Sequence, residues 1–226
     1  MFYDLHIHSD LSPCAEKEMT PNNVINMAKL KELDIIALTD HHSVRNYPAF
    51  KMVAGRVGIH LIPGIEITTR ENVHLLAYFR EYRDAKVVGQ LVYESLPDVK
   101  NNSKIFGEQN IYNDQDKVVE VVDKLLLNAT PFSIDEIIHL VNQHHGIVVP
   151  AHVNKLSDGM IGVLGFIPKQ YPFEFVEVYQ KTIPVGLPDH FKIMYNSDAH
   201  RLVEINDPQY AFPCRDLFAF LAYLGI

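Results

Sequence analysis

Six apolar runs in this chain each carry an acid or a histidine at one end, and that recurrence constrains the fold more than any other feature. In Asp4-Leu5-His6-Ile7-His8-Ser9, a strand over Phe2 to His8 sends alternate side chains to one face. His6 and His8 then point the same way, about 7 Å apart along the strand. Ile35-Ile36-Ala37-Leu38 stops at Thr39-Asp40-His41, Ile62-Pro63-Gly64-Ile65 stops at Glu66, and His74 opens the run to Tyr78. Gly146 to Ala151 ends at His152, and Ile193 to Ser197 ends at Asp198-Ala199-His200. Unrelated core histidines have no reason to recur where strands end, whereas ligands gathered at one face of a sheet must do so.

Imidazole and carboxylate are the donors that suit zinc, manganese or iron, and a carboxylate can bridge two ions. His60, His139, His144, His145 and His190 fit no such series and read as ordinary core or surface residues. Cys14 and Cys214 are the only cysteines and read as free thiols rather than a disulfide. Cys14 follows the His6/His8 strand closely, which makes it either a small loop residue or a metal ligand.

Between the first two strands, Thr20 and Pro21 suit a helix N-terminus, and Val24, Ile25, Met27, Ala28 and Leu30 to Leu33 form its apolar stripe. Ser133-Ile134-Asp135-Glu136 is a capping-box sequence for a helix that Gly146 closes. Strands are expected over Phe173 to Tyr179 and Ile193 to Ser197, and a closing helix over Leu217 to Leu224. Alternating strands and helices with nearly continuous apolar strands predict an α/β fold with a parallel sheet, whose strand C-termini converge on one face. The rhythm breaks between about Arg80 and Thr130. An inserted lid and a solvated connection carrying one amphipathic helix near Val118 to Leu127 are both open readings there.

A chain of 226 residues with 47% hydrophobic content suits one globular domain spanning 1–226. The formal net charge of −8 argues against long nucleic acid, which calls for a basic face, and favours a small phosphorylated substrate. Met1 leads directly into a polar strand without a basic segment or an apolar leader, and no run approaches the roughly 20 apolar residues needed to cross a bilayer. A cytoplasmic location is the resulting expectation. Oligomeric state is not legible.

Taken in order, Asp4-Leu5-His6-Ile7-His8-Ser9, Thr39-Asp40-His41, Ala151-His152 and Ser197-Asp198-Ala199-His200 resemble the four motifs of the PHP family, named after polymerase and histidinol phosphatase. The resemblance implies a distorted, TIM-like (β/α)7 barrel, two or three divalent metals at its C-terminal face, and hydrolysis of phosphate esters. It makes His6, His8, Glu66 and Asp198 ligands of a first metal and Glu66, His74 and His152 ligands of a second, with Glu66 bridging. A third ion would fall to His41 and His200. In place of the family's further histidine or acid this chain has Pro13 and Cys14. Cys14 as substitute ligand, Glu16 or Glu18 reaching in, and a weak third site all stay open.

The mechanism expected on this basis is hydrolysis of a small phosphomonoester by a hydroxide held between two metals. Lys155 is the first choice for a cation on the phosphate, followed by Arg201 and Arg45. His41 or His200 would protonate the leaving oxygen if the third site is empty. Asp40 is expected to orient an imidazole rather than to bind metal. Two other functions compete with this one. A nuclease or nucleotide phosphatase would need stacking aromatics, for which Tyr47, Tyr179 and Phe166 are the candidates. The other is a non-catalytic, metal-binding regulatory domain.

Overall fold

The strand β1 (Tyr3–Ile7) pairs in parallel with β2 (Ile35–Leu38), which pairs in parallel with β3 (His60–Thr68), in a computed structural model that describes residues 1–226. The next strand breaks the pattern. β4 (His74–Phe79) runs antiparallel to β3, with Thr68 opposite His74, and β7 (Gly146–Pro150) runs antiparallel to β4. The expected all-parallel sheet is therefore corrected to a mixed five-stranded one of order β1-β2-β3-β4-β7. The cause is the short Thr69–Val73 connection, closed by Thr69 N–H to Val73 O at 2.9 Å, which is far too short for a crossover helix. Because β4 is reversed, its first residue His74 lies level with the C-terminal ends of its neighbours.

Two further sheets complete the strands. β8 (Phe175–Glu177) pairs in parallel with β9 (Lys192–Met194), and β5 (Asn110–Tyr112) pairs antiparallel with β6 (Val118–Val121). The three sheets are separate hydrogen-bonded ladders. Isolated contacts join the five-stranded sheet to the β8/β9 pair: Ile7 bridges Ala199, and Val153 N–H donates to Glu177 O at 2.8 Å.

The helices cover the sheet much as their apolar stripes require. α1 (Pro21–Leu30) and α2 (Tyr47–Val57) pack Val24, Ile25, Phe50 and Val53 against Ile36 and Leu61. α3 (Tyr82–Ser95) and α5 (Ile134–Gln143) pack Val88, Val92, Ile137 and Val141 against Ile65, Leu75 and Phe79. The short α6 (Met160–Leu164) adds Met160 to this cluster, and α7 (Leu217–Leu224) closes the third cluster with Phe220 and Leu221. The Ser133/Glu136 capping box forms as expected. Thr20 precedes α1, yet its hydroxyl makes no cap bond. At the other end of α5 the left-handed residue is His145, with φ 56°. Gly146 instead begins β7, where a Cβ would come within 2.6 Å of the Phe79 ring.

The segment after Arg80 is more ordered than its polar sequence suggests. Its first part is α3, a core helix, followed by the single turn α4 (Ser103–Phe106) and the β5/β6 hairpin. The helix that one of the two open readings placed near Val118 to Leu127 is corrected to strand β6 and an irregular turn, in keeping with the β-branched run Val118, Val119, Val121. The hairpin packs Ile111, Val122 and Leu126 against Leu11. Asn110 and Tyr112 both donate to Asp10 Oδ2, and a Cβ on Gly107 (φ +100°) would collide with the Pro13 carbonyl. This excursion buttresses the loop that carries Cys14.

Candidate metal centre

Glu66 is the focus of the site. It ends the apolar stretch of β3, is 1% exposed, and faces five imidazoles: His74 Nδ1 at 2.9 Å, His41 Nδ1 at 3.1 Å, His152 Nε2 at 3.1 Å, His8 Nε2 at 3.3 Å and His6 Nε2 at 3.5 Å. Asp198 Oδ1 completes the ring, 3.2 Å from His6 Nε2 and 3.4 Å from His8 Nε2. The backbone is left-handed at His152 (φ 28°) and Asp198 (φ 54°), a conformation that non-glycine residues hold only where their surroundings enforce it.

The tautomers follow from the hydrogen bonds. His6 Nδ1 lies 3.0 Å from both oxygens of buried Glu177, so it carries the proton and leaves the Nε2 lone pair facing inward. Ser12 Oγ donates to Asp40 Oδ1 at 2.8 Å and therefore accepts from His8 Nδ1 at 3.0 Å, which frees the His8 Nε2 lone pair as well. These two Nε2 atoms are 3.1 Å apart. Two lone pairs at that distance are reconciled by a proton shared between them or by a metal cation that both nitrogens face. The buried atoms His41 Nδ1, His152 Nδ1 and Asp158 Oδ1 lack an aligned hydrogen-bond partner, although each has an oppositely polar atom within 3.2 Å. Donors that converge without bonding one another fit a divalent ion.

Four overlapping donor sets arise: His6/His8/Glu66/Asp198, His41/Glu66/His74, His74/His152/Asp158 and His8/His41/His200. The first has the composition expected for the first metal. The expected second set appears split, with His41 and Asp158 drawn in. Beside the fourth, Cys14 Sγ approaches His200 Nε2 to 3.1 Å, while His200 Nδ1 donates to Asp198 O at 2.8 Å. Glu16 and Glu18 are exposed and join none of these sets.

Charge is divided within the cluster. Burial alone would lift the Glu66 carboxyl, but His74, His6 and His41 hold it well below the usual range. Asp198 is held low by His6 and His8 against the same burial. Burial disfavours charge on His6, yet Glu177, Asp198 and Glu66 raise its pKa well above normal, and His8 rises to about 8 through Asp198 and Glu66. His41 and His200 go the other way. Burial, with the charge of His8, lowers both, His200 to about 4.

Lys155 is the one predicted cation that reaches the centre. Its Nζ lies 3.4 Å from both Asp158 Oδ2 and Asp198 Oδ2, and these carboxylates raise its pKa against partial burial. Arg201 is exposed and turned onto Glu204, and Arg45 is paired with Glu120 beside a different cleft. Asp40 touches no imidazole directly. It accepts Ser9 N–H, Ser9 Oγ and Ser12 Oγ, and so acts on His8 through Ser12. Sequence reasoning missed Glu177 and Asp158. Glu177, 1% exposed, accepts from His6, from His152 N–H and from Asn196 Nδ2. Its signal was the familiar one, an apolar run Phe175-Val176 ending in an acid.

The centre opens on a cavity of about 240 Å³ lined by Cys14, His41, Glu66, His74 and Lys155, next to a larger one of about 580 Å³. His152, Lys155, Asp198 and His200 line both. The PHP domain family matches residues 4–167, more than half of the chain. The chain belongs to the PHP family. Asp198 and His200 lie outside the matched stretch, and their place in the PHP centre is set by the contacts above.

A 5'-3' exoribonuclease of Haemophilus influenzae is 34% identical over 67 residues, covering 30% of this chain and 23% of that protein. The lesion-specific endonuclease PfuEndoQ of Pyrococcus furiosus shares the fold at 18% identity, with a TM-score of 0.62 over 88% of this chain and 48% of the other. A complex of Endonuclease Q with a 27-mer duplex carrying an abasic lesion matches with a TM-score of 0.60, at 17% identity and the same coverage. This chain thus spans less than half the length of each of these proteins. The expectation that an acidic chain takes a small substrate and avoids long nucleic acid is overturned, since a protein of this fold holds a 27-mer duplex at its active site. Net charge sums the whole surface and says little about the potential at one cleft. No helix is long and apolar enough to cross a membrane.

Proposed function

We propose that this chain hydrolyses phosphodiester bonds of nucleic-acid strands at a centre of two or more divalent cations. The observation that carries the reading is Glu66 ringed by five imidazoles beside Lys155. The nuclease relatives direct it toward polynucleotides. His6, His8, Glu66 and Asp198 would hold one ion, and His41, Glu66, His74 and His152, with Asp158 alongside, a second. A third would lie among His8, His41 and His200, with Cys14 as its soft ligand. Such ions supply acidified water and charge neutralisation on phosphate.

The side chains do the positioning. Glu177 and the Asp40–Ser12 pair fix the rings of His6 and His8 through Nδ1, so both Nε2 atoms stay aimed inward. Lys155 keeps its proton between two carboxylates and offers it to a phosphate oxygen as negative charge builds. His41 and His200, held neutral by burial, suit ligation better than acid catalysis near pH 7. We further read the five-stranded sheet and the β8/β9 pair, seven strands without the β5/β6 hairpin, as an open, distorted (β/α)7-type barrel, supported by the Ile7–Ala199 and Val153–Glu177 links.

The test is cleavage of end-labelled single-stranded and duplex RNA and DNA with manganese or zinc, with Glu66→Gln in parallel. Shortened strands from the native protein, and a loss of roughly a thousandfold or more in the variant, are expected. Hydrolysis of simple phosphomonoesters with every nucleic acid left intact would overturn the reading.

A further inference from the structure

The 580 Å³ cavity beside the centre is polar, and the function proposed above does not account for its far wall. That wall is the turn Tyr179-Gln180-Lys181, in which Gln180 and Lys181 both adopt left-handed backbone (φ 50° and 57°). Asn154, two residues past His152, clamps the turn. Its Oδ1 accepts Tyr179 N–H at 2.7 Å, and its Nδ2 donates to Tyr179 O at 3.3 Å and Thr182 O at 3.1 Å. The strained turn is thus fixed to the same loop that carries His152 and Lys155. Its side chains are left for solvent: Tyr179 is 38% exposed, its ring 5.8 Å from Lys155 Nζ. Lys181 has no carboxylate partner and sits 4.9 Å over the Tyr210 ring. Of the three aromatic residues that the sequence offered for stacking, Tyr47 is buried against Tyr82, Phe166 is exposed and lines neither cavity, and only Tyr179 borders the centre.

Resting on the nuclease reading, we propose that this cavity is the subsite for one unpaired nucleotide next to the scissile phosphate. Tyr179 stacks on its base, and Lys181 meets the following phosphate. The cavity has the volume of a small-molecule site, so it admits a nucleotide and not a duplex. A base that leaves its partner, or never had one, exposes the face that an aromatic ring can cover. One cavity wall thus carries an aromatic ring and two cations, Lys155 5.8 Å from that ring and Lys181 in the same turn, which are the groups that the alternating bases and phosphates of a strand engage.

The experiment scans an abasic nucleotide through a single-stranded oligonucleotide, one position at a time about the cleavage site. It uses the full chain and its Tyr179→Ala, Tyr179→Phe and Lys181→Ala variants. The native protein is expected to show KM raised roughly 5- to 100-fold at one position only. Tyr179→Phe keeps that discrimination and Tyr179→Ala loses it. In Lys181→Ala, KM rises for every strand and its dependence on salt becomes shallower. A Tyr179→Ala protein that still discriminates the abasic position as the native one does overturns the subsite while leaving the nuclease reading intact. A native protein that cleaves no nucleic acid overturns both.

Discussion

The two halves of the site are built differently. On one side His6, His8, Glu66 and Asp40 stand on β1, β2 and β3 or directly after them, and all are almost fully buried. Each is locked by a hydrogen bond from another strand or loop, and Phe50, Ile36 and Leu5 pack behind them. On the other side Lys155, Asp158, Tyr179, Asp198 and His200 come from loops after β7, β8 and β9, strands of five, three and three residues. These groups are partly exposed, and the neighbouring Val185 is fully so. The difference separates two tasks. The shared carboxylate Glu66 and the paired imidazoles His6 and His8 sit on or beside rigid strands, whereas the loops carry the outer donors Asp158, Asp198 and His200 together with Lys155 and Tyr179, the residues that meet substrate.

The largest effects should come from breaking the rigid half without touching a ligand. Glu177→Gln and Asp40→Asn each weaken the support of one imidazole, and each should cost 10- to 100-fold in metal affinity or activity, roughly, with an unchanged circular dichroism spectrum. Isothermal titration with manganese reads the first and a cleavage assay the second. Unchanged values for both variants would erase the distinction between the halves. Lys155→Ala comes next. It should lower kcat about 10- to 100-fold with little change in metal content, and Lys155→Arg should recover only part of it. An effect confined to metal binding would move Lys155 out of the substrate half.

A smaller effect, of opposite sign in stability and in binding, follows from the shared protons. In metal-stripped protein His8 is raised to about 8, whereas an unfolded chain titrates near ~6.5. Its contribution is therefore complete below ~6.5 and disappears as pH rises through 8, on the order of 2 kcal/mol, with His6 acting in the same direction. Metal affinity must rise over that same interval, because the ion takes the neutral imidazole. Urea melts of stripped protein at pH 6.5 and 8.5, beside metal titrations at both, show whether the two trends cross. The smallest effect concerns packing. Leu5→Ala, behind the rigid half, should cost about 2–5 kcal/mol, and Val185→Ser, on the loop side, no more than about 0.5 kcal/mol.

Most of the rigid half was legible in the sequence, because an apolar strand that ends in His, Asp or Glu writes its ligand at a fixed place. The reversal of β4 was not legible, since hydrophobic patterning marks a strand but carries no direction. Glu177 escaped because Glu174 and Glu177 flank the same short run, and only the fold shows Glu174 exposed and Glu177 buried. Asp158 escaped because Ser157-Asp158-Gly159 reads as any polar turn. The β5/β6 hairpin was hidden by its charged and amide-rich surroundings, although its β-branched residues pointed to strand. The error over nucleic acid had a different origin: a charge summed over the whole chain was used, and that sum does not describe the surface around one cavity.

The measurement that bears most directly on the centre is the metal content of the purified protein by elemental analysis, before and after reconstitution, with Glu66→Ala beside it. Two or more divalent ions per native chain, reduced by at least one in the variant, is the result predicted for a bridging carboxylate. Less than one ion per native chain after reconstitution, or equal contents in the two proteins, would contradict it.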